Sequence, residues 1–170
     1  MNTYNVPVLG FAAYSGTGKT TLLVKLIPLL KEKGISVALI KHAHHDFDID
    51  IPGKDSYQLR RAGADQVLVA SDKRRALIKE VADNTGPQLD ELINELDLDI
   101  VELVLVEGFR HVPFPKIELH RPSSGKELIS PHDANVIAVA SDELIDTGEL
   151  PLLDINKPGD IAMFIREWVS

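Results

Sequence analysis

The chain contains no cysteine, which excludes disulfide bonds and thiolate metal sites. Basic residues are also few: 18 Lys and Arg stand against 26 Asp and Glu, so the formal net charge is −8. Nucleic acids and anionic membranes attract positively charged surfaces. The charge balance therefore argues against a partner of either class, and any anionic ligand must be met by a local group of cations.

Long apolar runs are missing as well. No stretch approaches the roughly 18 apolar residues of a membrane span. The first residues also lack the positively charged region that opens a secretory signal. These two features predict a cytoplasmic protein without a membrane partner.

What the chain does have is a glycine-rich motif between a strand-like and a helical pattern. Residues Ala13 to Thr21 read AYSGTGKTT, after the apolar run Val6–Ala13 and before the helical stretch Leu22–Lys33. Gly16 and Gly18 let the backbone curl so that successive N–H groups point at a phosphate, and the helix aims its positive dipole end there. The motif predicts a phosphate-binding loop.

The loop follows the pattern G-x-x-x-x-G-K-[ST] at Gly18, Lys19 and Thr20, and departs from it at Ala13, where the pattern has glycine. We expect the Lys19 ammonium to reach the β- and γ-phosphates and the Thr20 hydroxyl to ligate Mg²⁺. The predicted nucleotide-binding residues are Ser15, Gly16, Thr17, Gly18, Lys19, Thr20 and Thr21.

Apolar runs alternate with helical patterns, which predicts an α/β fold. Predicted core strands are Val6–Ala13, Ile35–Ile40, Ile100–Val106, Val136–Ala140 and Leu152–Ile155, and predicted helices are Leu22–Lys33, Asp55–Gly63, Pro87–Leu96 and Asp160–Val169. A strand, a crossover helix and a second strand almost always form a right-handed parallel unit. We expect one domain over residues 1–170, with a P-loop NTPase-type, mostly parallel sheet and helices on both faces.

Two segments are expected outside that sheet. Gln66–Ser71 and Ala76–Val81 read as two strands around a polar break, which is typical of a β-hairpin. Residues 110–131 contain four prolines that frame the strand-like Lys116–His120. We predict that this second segment is a protruding arm.

The arm suggests a homodimer. The apolar residues Phe109, Val112 and Phe114 flank its strand, and apolar side chains on a protruding segment favour a partner surface. We therefore expect two copies of the chain to meet partly through this arm.

Glu107 has the form of a second nucleotide motif. It ends the apolar run Leu103–Val106, and an acid at this place reaches Mg²⁺ or its water. A carboxylate beside Mg²⁺ stays ionised and can orient an attacking water, so Glu107 is the candidate metal ligand and catalytic residue.

A cluster of histidines and acids follows the second predicted strand. It consists of His42, His44, His45, Asp46, Asp48 and Asp50. Imidazoles suit Zn, Ni or Cu, whereas carboxylates suit Mg²⁺. The short spacings fix no geometry, so three readings stay open: a solvated polar loop, a contact to phosphate or Mg²⁺, and a transition-metal site.

Asp142 follows the strand Val136–Ala140, near the place where nucleotide-binding sheets hold the base. A carboxylate there can accept from guanine N1 and N2, which adenine does not offer together. Asp142 is thus a candidate base contact, although the residues alone do not choose GTP over ATP.

Three stretches follow one another over nearly the whole chain: AYSGTGKTTL, then KHAHHDFDID with PGKDSYQLRRAGA, then LVLVEGF. Together they resemble the MobB family of molybdopterin-guanine dinucleotide biosynthesis adaptors. The resemblance implies a homodimeric P-loop fold that binds GTP and assists MobA, the nucleotidyltransferase that attaches GMP to molybdopterin. It places phosphate and Mg²⁺ on Gly16, Gly18, Lys19 and Thr20, with Glu107 as the second motif.

Hydrolysis of GTP by the chain alone is expected to be slow. Fast turnover needs a positioned water and a cation on the transferring phosphoryl group, and an arginine finger is worth roughly 10³ to 10⁵ in rate. No arginine occurs in the phosphate loop or the histidine loop. We therefore expect at most a slow Mg²⁺-dependent GTPase, acting mainly as an accessory protein.

Two other classes remain open. A metallochaperone GTPase would use the loop of His42, His44 and His45 to hold its cargo. A small-molecule kinase would use the same phosphate loop, but it also needs an arginine-bearing lid, and the sequence indicates none.

Overall fold

The computed structural model describes residues 4–43, 47–81 and 86–170. These residues divide into two compact units: a larger one within Met1–His42 and Gln88–Ser170, and a smaller one within Ala43–Pro87. Along the sequence, the smaller unit lies between the two stretches of the larger one, and the single domain expected over residues 1–170 stays a prediction. Within the three described stretches, no helix is long and apolar enough to cross a bilayer.

The larger unit contains a six-stranded sheet and three helices. Its strands are β1 (Val8–Ala12), β2 (Val37–Lys41), β5 (Leu103–Glu107), β6 (Lys116–His120), β7 (Val136–Ser141) and β8 (Leu152–Asp154). Its helices are α1 (Lys19–Glu32), α3 (Leu89–Asn94) and α4 (Pro158–Val169), with short 3-10 turns at Leu98–Ile100, Pro122–Ser124 and Ser130–His132. The smaller unit contains α2 (Asp55–Arg61), β3 (Gln66–Ala70) and β4 (Arg75–Lys79).

The six strands lie in the order β2-β5-β1-β6-β7-β8, and every neighbouring pair is parallel. The predicted α/β fold with a parallel sheet is confirmed. All carboxyl ends meet at one edge of the sheet, which is where open α/β sheets bind ligands. The central strand β1 is buried along its whole length, as its continuous apolar sequence predicts.

Helices cover both faces of this sheet, as predicted. On one face, Leu26 and Leu30 of α1 and Ile165 of α4 join a core cluster with Leu9 and Leu105 of the sheet. On the other face, residues of α3 pack with alternate residues of the same strands. This second cluster contains Val8, Ile40, Leu89, Ile93, Val104 and Val106. The sheet is thus buried between two apolar layers.

The predicted protruding arm is wrong. Its strand β6 lies between β1 and β7, and all five of its residues are buried. Phe109 and Phe114, which were expected to face a partner, are each 8% exposed and pack inside the chain's own core. They therefore give no argument for a homodimer.

The error has a physical cause. Lys116, Glu118 and His120 alternate along β6 with apolar Ile117 and Leu119, a pattern that usually indicates one solvated face. Here the polar face is buried because its charges have partners. Lys116 Nζ lies 2.9 Å from an Asp133 carboxylate oxygen, and Glu118 accepts two backbone N–H bonds.

The smaller unit contains the predicted hairpin. Strands β3 and β4 pair antiparallel, with Leu68 opposite Leu77. Helix α2 has no buried residue, and most of the hairpin is exposed. The guanidinium of Arg60 donates hydrogen bonds to Asp48 and to Glu80, at 2.7 Å each. This unit therefore has little apolar core of its own.

Candidate functional site

The phosphate loop connects the end of β1 to the start of α1. Gly16 and Gly18 have φ angles of 83° and 99°, in the left-handed region that favours glycine. Thr17 closes the turn, since its hydroxyl donates to the Tyr14 carbonyl at 2.8 Å. Gly18 caps α1 without any side-chain bond, so the first amides of the helix remain available to an anion.

Ala13, which stands where the phosphate-loop pattern has glycine, has a packing role. Ala13 is half-buried and its side chain packs against the core cluster beneath α1. Because the turn itself is made by Gly16 and Gly18, Ala13 does not need the backbone freedom of glycine. The substitution is thus compatible with a phosphate loop.

The cation of the loop is available for a ligand. Lys19 is the first residue of α1 and forms no ion pair with any residue that the structure describes. Ser15, Thr20 and Thr21 are exposed beside it. In a chain of net charge −8, an unpaired lysine at a helix N-terminus favours a strongly anionic ligand.

Glu107 lies at the same edge of the sheet. It is the last residue of β5, paired in register with Phe11 of β1, and its side chain is 14% exposed. Its carboxylate lies 3.6 Å from the Lys41 ammonium. The adjacent strand places this acid near the start of the phosphate loop, as a second nucleotide motif requires, while its contact with Mg²⁺ stays a prediction.

The residues after Glu107 fix its position. Gly108 has a φ of 109°, and a Cβ built there would lie 2.6 Å from the His42 Cβ. The His42 amide donates to the Glu107 carbonyl at 2.8 Å. The His42 ring stacks on the Phe109 ring, with 4.8 Å between the ring centroids. Gly108 is therefore required by the close approach of His42, which directly follows β2, a feature that the sequence alone did not reveal.

The histidine loop is only partly described. His44, His45 and Asp46 lie outside the described residues. The Asp48 carboxylate accepts a hydrogen bond from Arg60, and this bond holds the pKa of Asp48 below its ordinary value. Asp50 accepts a hydrogen bond from the Ser56 hydroxyl at 2.8 Å. Among the described residues, no group of three or more His, Asp or Glu side chains could hold a metal ion. The transition-metal reading gains no support from this part of the loop.

Sequence reasoning missed Arg121 at this edge. It directly follows β6, and its Nε donates to the Thr17 carbonyl of the phosphate loop at 3.0 Å. Its Nη2 lies 3.8 Å from the position of a Cβ on Gly18. Once β6 is known to neighbour β1, the carboxyl-end rule places Arg121 beside the loop. Because the sequence predicted a separate arm, Arg121 was not expected at this edge of the sheet.

Asp142 positions this arginine. One carboxylate oxygen accepts from Arg121 Nη1 at 2.5 Å, and the other is buried without a partner among the described residues. In this arrangement neither oxygen is presented to a base. A contact from Asp142 to guanine stays a prediction and requires a different side-chain position.

The chain matches one protein-family model. Residues 8–142 match MobB, the molybdopterin guanine dinucleotide synthesis protein B. That range contains the phosphate loop, Glu107, Arg121 and Asp142, so the match includes the whole candidate site.

Known proteins agree with that match. The chain is 50% identical to the molybdopterin-guanine dinucleotide biosynthesis adapter protein of Escherichia coli, over 97% of this chain and 94% of that one. It is 44% identical to the adapter protein of the same description from Haemophilus influenzae, over 96% and 90%. A crystal structure of molybdopterin-guanine biosynthesis protein B superposes with a TM-score of 0.75, at 28% identity over 95% of this chain and 98% of that one. The chain belongs to the MobB family.

Proposed function

We propose that this protein binds Mg²⁺–GTP at the loop Ala13–Thr21 and serves as an adaptor in molybdopterin-guanine dinucleotide biosynthesis. The observation that carries the proposal is the unpaired Lys19 at the exposed start of α1, in a chain whose relatives are adapter proteins of this synthesis. Lys19 would contact the β- and γ-phosphates, with the amides of Gly16 to Thr21 around them. Thr20 and Glu107 would hold Mg²⁺, directly or through its water.

The proposed partner is the nucleotidyltransferase MobA, which attaches GMP to molybdopterin. Both relatives are described as adapters, a description that implies assistance to another protein. The low number of basic residues is consistent with a protein partner instead of a nucleic acid or a membrane. We place this interaction in the cytoplasm, where nucleotide and partner are both present.

We propose slow hydrolysis because Arg121, which bonds the phosphate loop, already has hydrogen-bond partners in the chain. Two of the nitrogens of Arg121 bond the Thr17 carbonyl and Asp142, so its guanidinium is not free to follow a transferring phosphoryl group. The Glu107 carboxylate forms an ion pair with Lys41 at 3.6 Å. Both features favour binding over fast turnover.

We also propose a homodimer that forms through the hairpin. Leu68, Val69 and Leu77 are exposed on β3 and β4, and both edges of this two-stranded sheet are unpaired in the described chain. An isolated two-stranded hairpin is marginally stable in water, and open apolar edges favour pairing with another strand. A second copy of the chain would bury this surface.

The adaptor role is tested by comparing the chain alone with the chain plus MobA. Purified protein with Mg²⁺–GTP should release phosphate at well under about one turnover per second, since Arg121, the arginine that bonds the phosphate loop, is held by Thr17 and Asp142. Added to MobA, molybdopterin and Mg²⁺–GTP, it should raise the yield of the dinucleotide, and Lys19→Ala should not. Turnover of tens per second without a partner, or phosphorylation of a small acceptor, would contradict the proposal.

A further inference from the structure

A cavity of about 330 Å³ lies beside the phosphate loop in the larger unit. Tyr14 belongs both to this cavity and to the loop, because the Tyr14 carbonyl accepts the Thr17 bonds that close the turn. The rest of the wall comes from residues 110–113, Lys116 and the segment 127–135. Volumes of small-molecule sites begin near 300 Å³, so the cavity has room for one ring system with a charged group.

The floor of the cavity is held in place by buried polar contacts. Lys116 is 1% exposed, and its ammonium lies 2.9 Å from Asp133. Burial raises the pKa of Asp133, but hydrogen bonds from Lys116 and Asn135 outweigh it, so the pKa lies below its ordinary value. Glu118 accepts from the backbone amides of Ile129 and Ser130 at 2.7 and 2.8 Å. The wall is therefore tied to the central strand β6.

Two cations lie near the Tyr14 ring: Arg110, which lines the cavity, and Lys126, which precedes the lining residue Glu127 in sequence. Arg110 lies 5.0 Å above the Tyr14 ring, and the Lys126 ammonium lies 6.0 Å from the same ring. Neither residue forms an ion pair with any described residue. Two histidines, His111 and His132, also line the cavity. Since Lys116 already compensates Asp133, Glu127 is the remaining acid of the lining.

The pair of Arg110 and Lys126 is unexpected in a chain of net charge −8. Two exposed cations next to one aromatic ring repel each other, and an anion bound by both would offset that repulsion. Arginine and lysine together suit a phosphate group, which offers several acceptor oxygens to both. The phosphates of the nucleotide are already met by Lys19 and the loop amides.

We propose that the cavity beside Tyr14 binds a phosphate monoester of a small ring compound, as a second ligand in addition to the nucleotide. Arg110 and Lys126 bind the phosphate, and the cavity between Tyr14 and the Lys116–Asp133 pair receives the ring. The assignment rests on the cavity and its cations, and it stands whether or not the phosphate loop prefers GTP. Because Tyr14 is shared, each ligand is expected to alter the affinity of the other.

The test is a fluorescence titration with pyridoxine 5′-phosphate, a phosphate monoester of one aromatic ring, against the full-length protein. The phosphate loop is first filled with Mg²⁺ and guanosine 5′-[β,γ-imido]triphosphate. We expect saturable binding with a Kd below about 1 mM, and no saturation by pyridoxine, which lacks the phosphate. Absence of saturable binding by the phosphate monoester would overturn the proposal.

Variants locate the binding. Arg110→Ala and Lys126→Ala should each weaken the Kd of the probe about tenfold or more, because each removes a charge-assisted contact to phosphate. Lys25→Ala changes an exposed lysine of α1 that lies six residues after Lys19 and does not line the cavity, so this matched control should leave the Kd unchanged. Equal binding by Arg110→Ala, Lys126→Ala and Lys25→Ala would contradict the assignment.

Lys19→Ala separates this proposal from the nucleotide site. The variant should lose the guanosine triphosphate analogue and still bind pyridoxine 5′-phosphate, since Lys19 does not line the cavity. Loss of probe binding in Lys19→Ala would mean that the probe had entered the phosphate loop, and the second site would be rejected. If the guanosine triphosphate analogue binds neither the parent nor any variant while pyridoxine 5′-phosphate still binds, the nucleotide proposal is rejected and the second site is retained.

Discussion

The two units of the chain use apolar residues in opposite ways. In the larger unit, the strands β1, β5 and β6 are buried on both faces, and helices cover the sheet. In the smaller unit, Leu68 is 63% exposed although it occupies the middle of a strand. Apolar β-sequence thus forms a core in one unit and a surface in the other.

This difference separates two tasks. The larger unit contains the phosphate loop, Glu107 and Arg121 on a sheet that its own helices cover on both faces. The smaller unit has an exposed apolar hairpin and buries few residues of its own, so a partner surface would stabilise it. The comparison is the reason why we propose ligand binding for the larger unit and association for the smaller one.

The largest effect is expected for association. Leu68→Asp with Leu77→Asp puts two carboxylates directly opposite each other on the hairpin surface. If two copies bury that surface, the dimer of the variant has four changed positions, each worth about 2 kcal/mol, so the dimer should weaken by more than about a thousandfold. Sedimentation velocity at tens of micromolar should show a dimer for the parent and a monomer for the variant, while affinity for GTP stays unchanged. A monomeric parent would contradict the association task.

A smaller effect is expected for the core of the larger unit. Ile117 on β6 is fully buried, so Ile117→Ala should lower the free energy of unfolding by about 2–5 kcal/mol through lost burial and a cavity. Urea unfolding measures this change. The control Leu59→Ala, made in the monomeric Leu68→Asp/Leu77→Asp background, should cost less than about 0.5 kcal/mol because the Leu59 side chain is 63% exposed. Similar costs for both changes would break the comparison between the units.

The smallest effect concerns pH. The hydrogen bonds of Lys116 and Asn135 lower the pKa of Asp133 in the folded chain below the ordinary value of 3.8, despite burial. Its contribution to stability is therefore present above that value and is lost as the pH falls through the folded pKa. Asp133→Asn should show a weaker decline in unfolding free energy below about pH 4 than the parent. An identical decline in both proteins would show that Asp133 does not contribute to the pH dependence of the free energy of unfolding.

Local signals in the sequence were sufficient for the phosphate loop and for most elements. Gly16 and Gly18 have the positive φ angles that their motif predicts, and the hairpin follows its two strand patterns. These features depend on residues that are neighbours along the chain. The parallel sheet follows from the same information, because a strand, a helix and a strand have one preferred arrangement.

Non-local partners account for the rest. Lys116 and Glu118 looked solvated because the groups that compensate them, Asp133 and two backbone amides, lie more than ten residues away. Arg121 was overlooked for the same reason, since its contact with Thr17 exists only when β6 lies beside β1. Strand order is not encoded in periodicity, so neither the position of β6 nor the role of Arg121 could be predicted from it.

The central claim is that Lys19 and its loop bind GTP. Isothermal titration calorimetry with GTP and with ATP, each with and without Mg²⁺, measures it directly. The account predicts tighter binding of GTP than of ATP, weaker binding without Mg²⁺, and a loss of GTP affinity of about a hundredfold or more in Lys19→Ala, because the Lys19 ammonium is expected to contact the β- and γ-phosphates. Lys25→Ala should bind as the parent does. Equal GTP affinity in Lys19→Ala and Lys25→Ala would contradict the account.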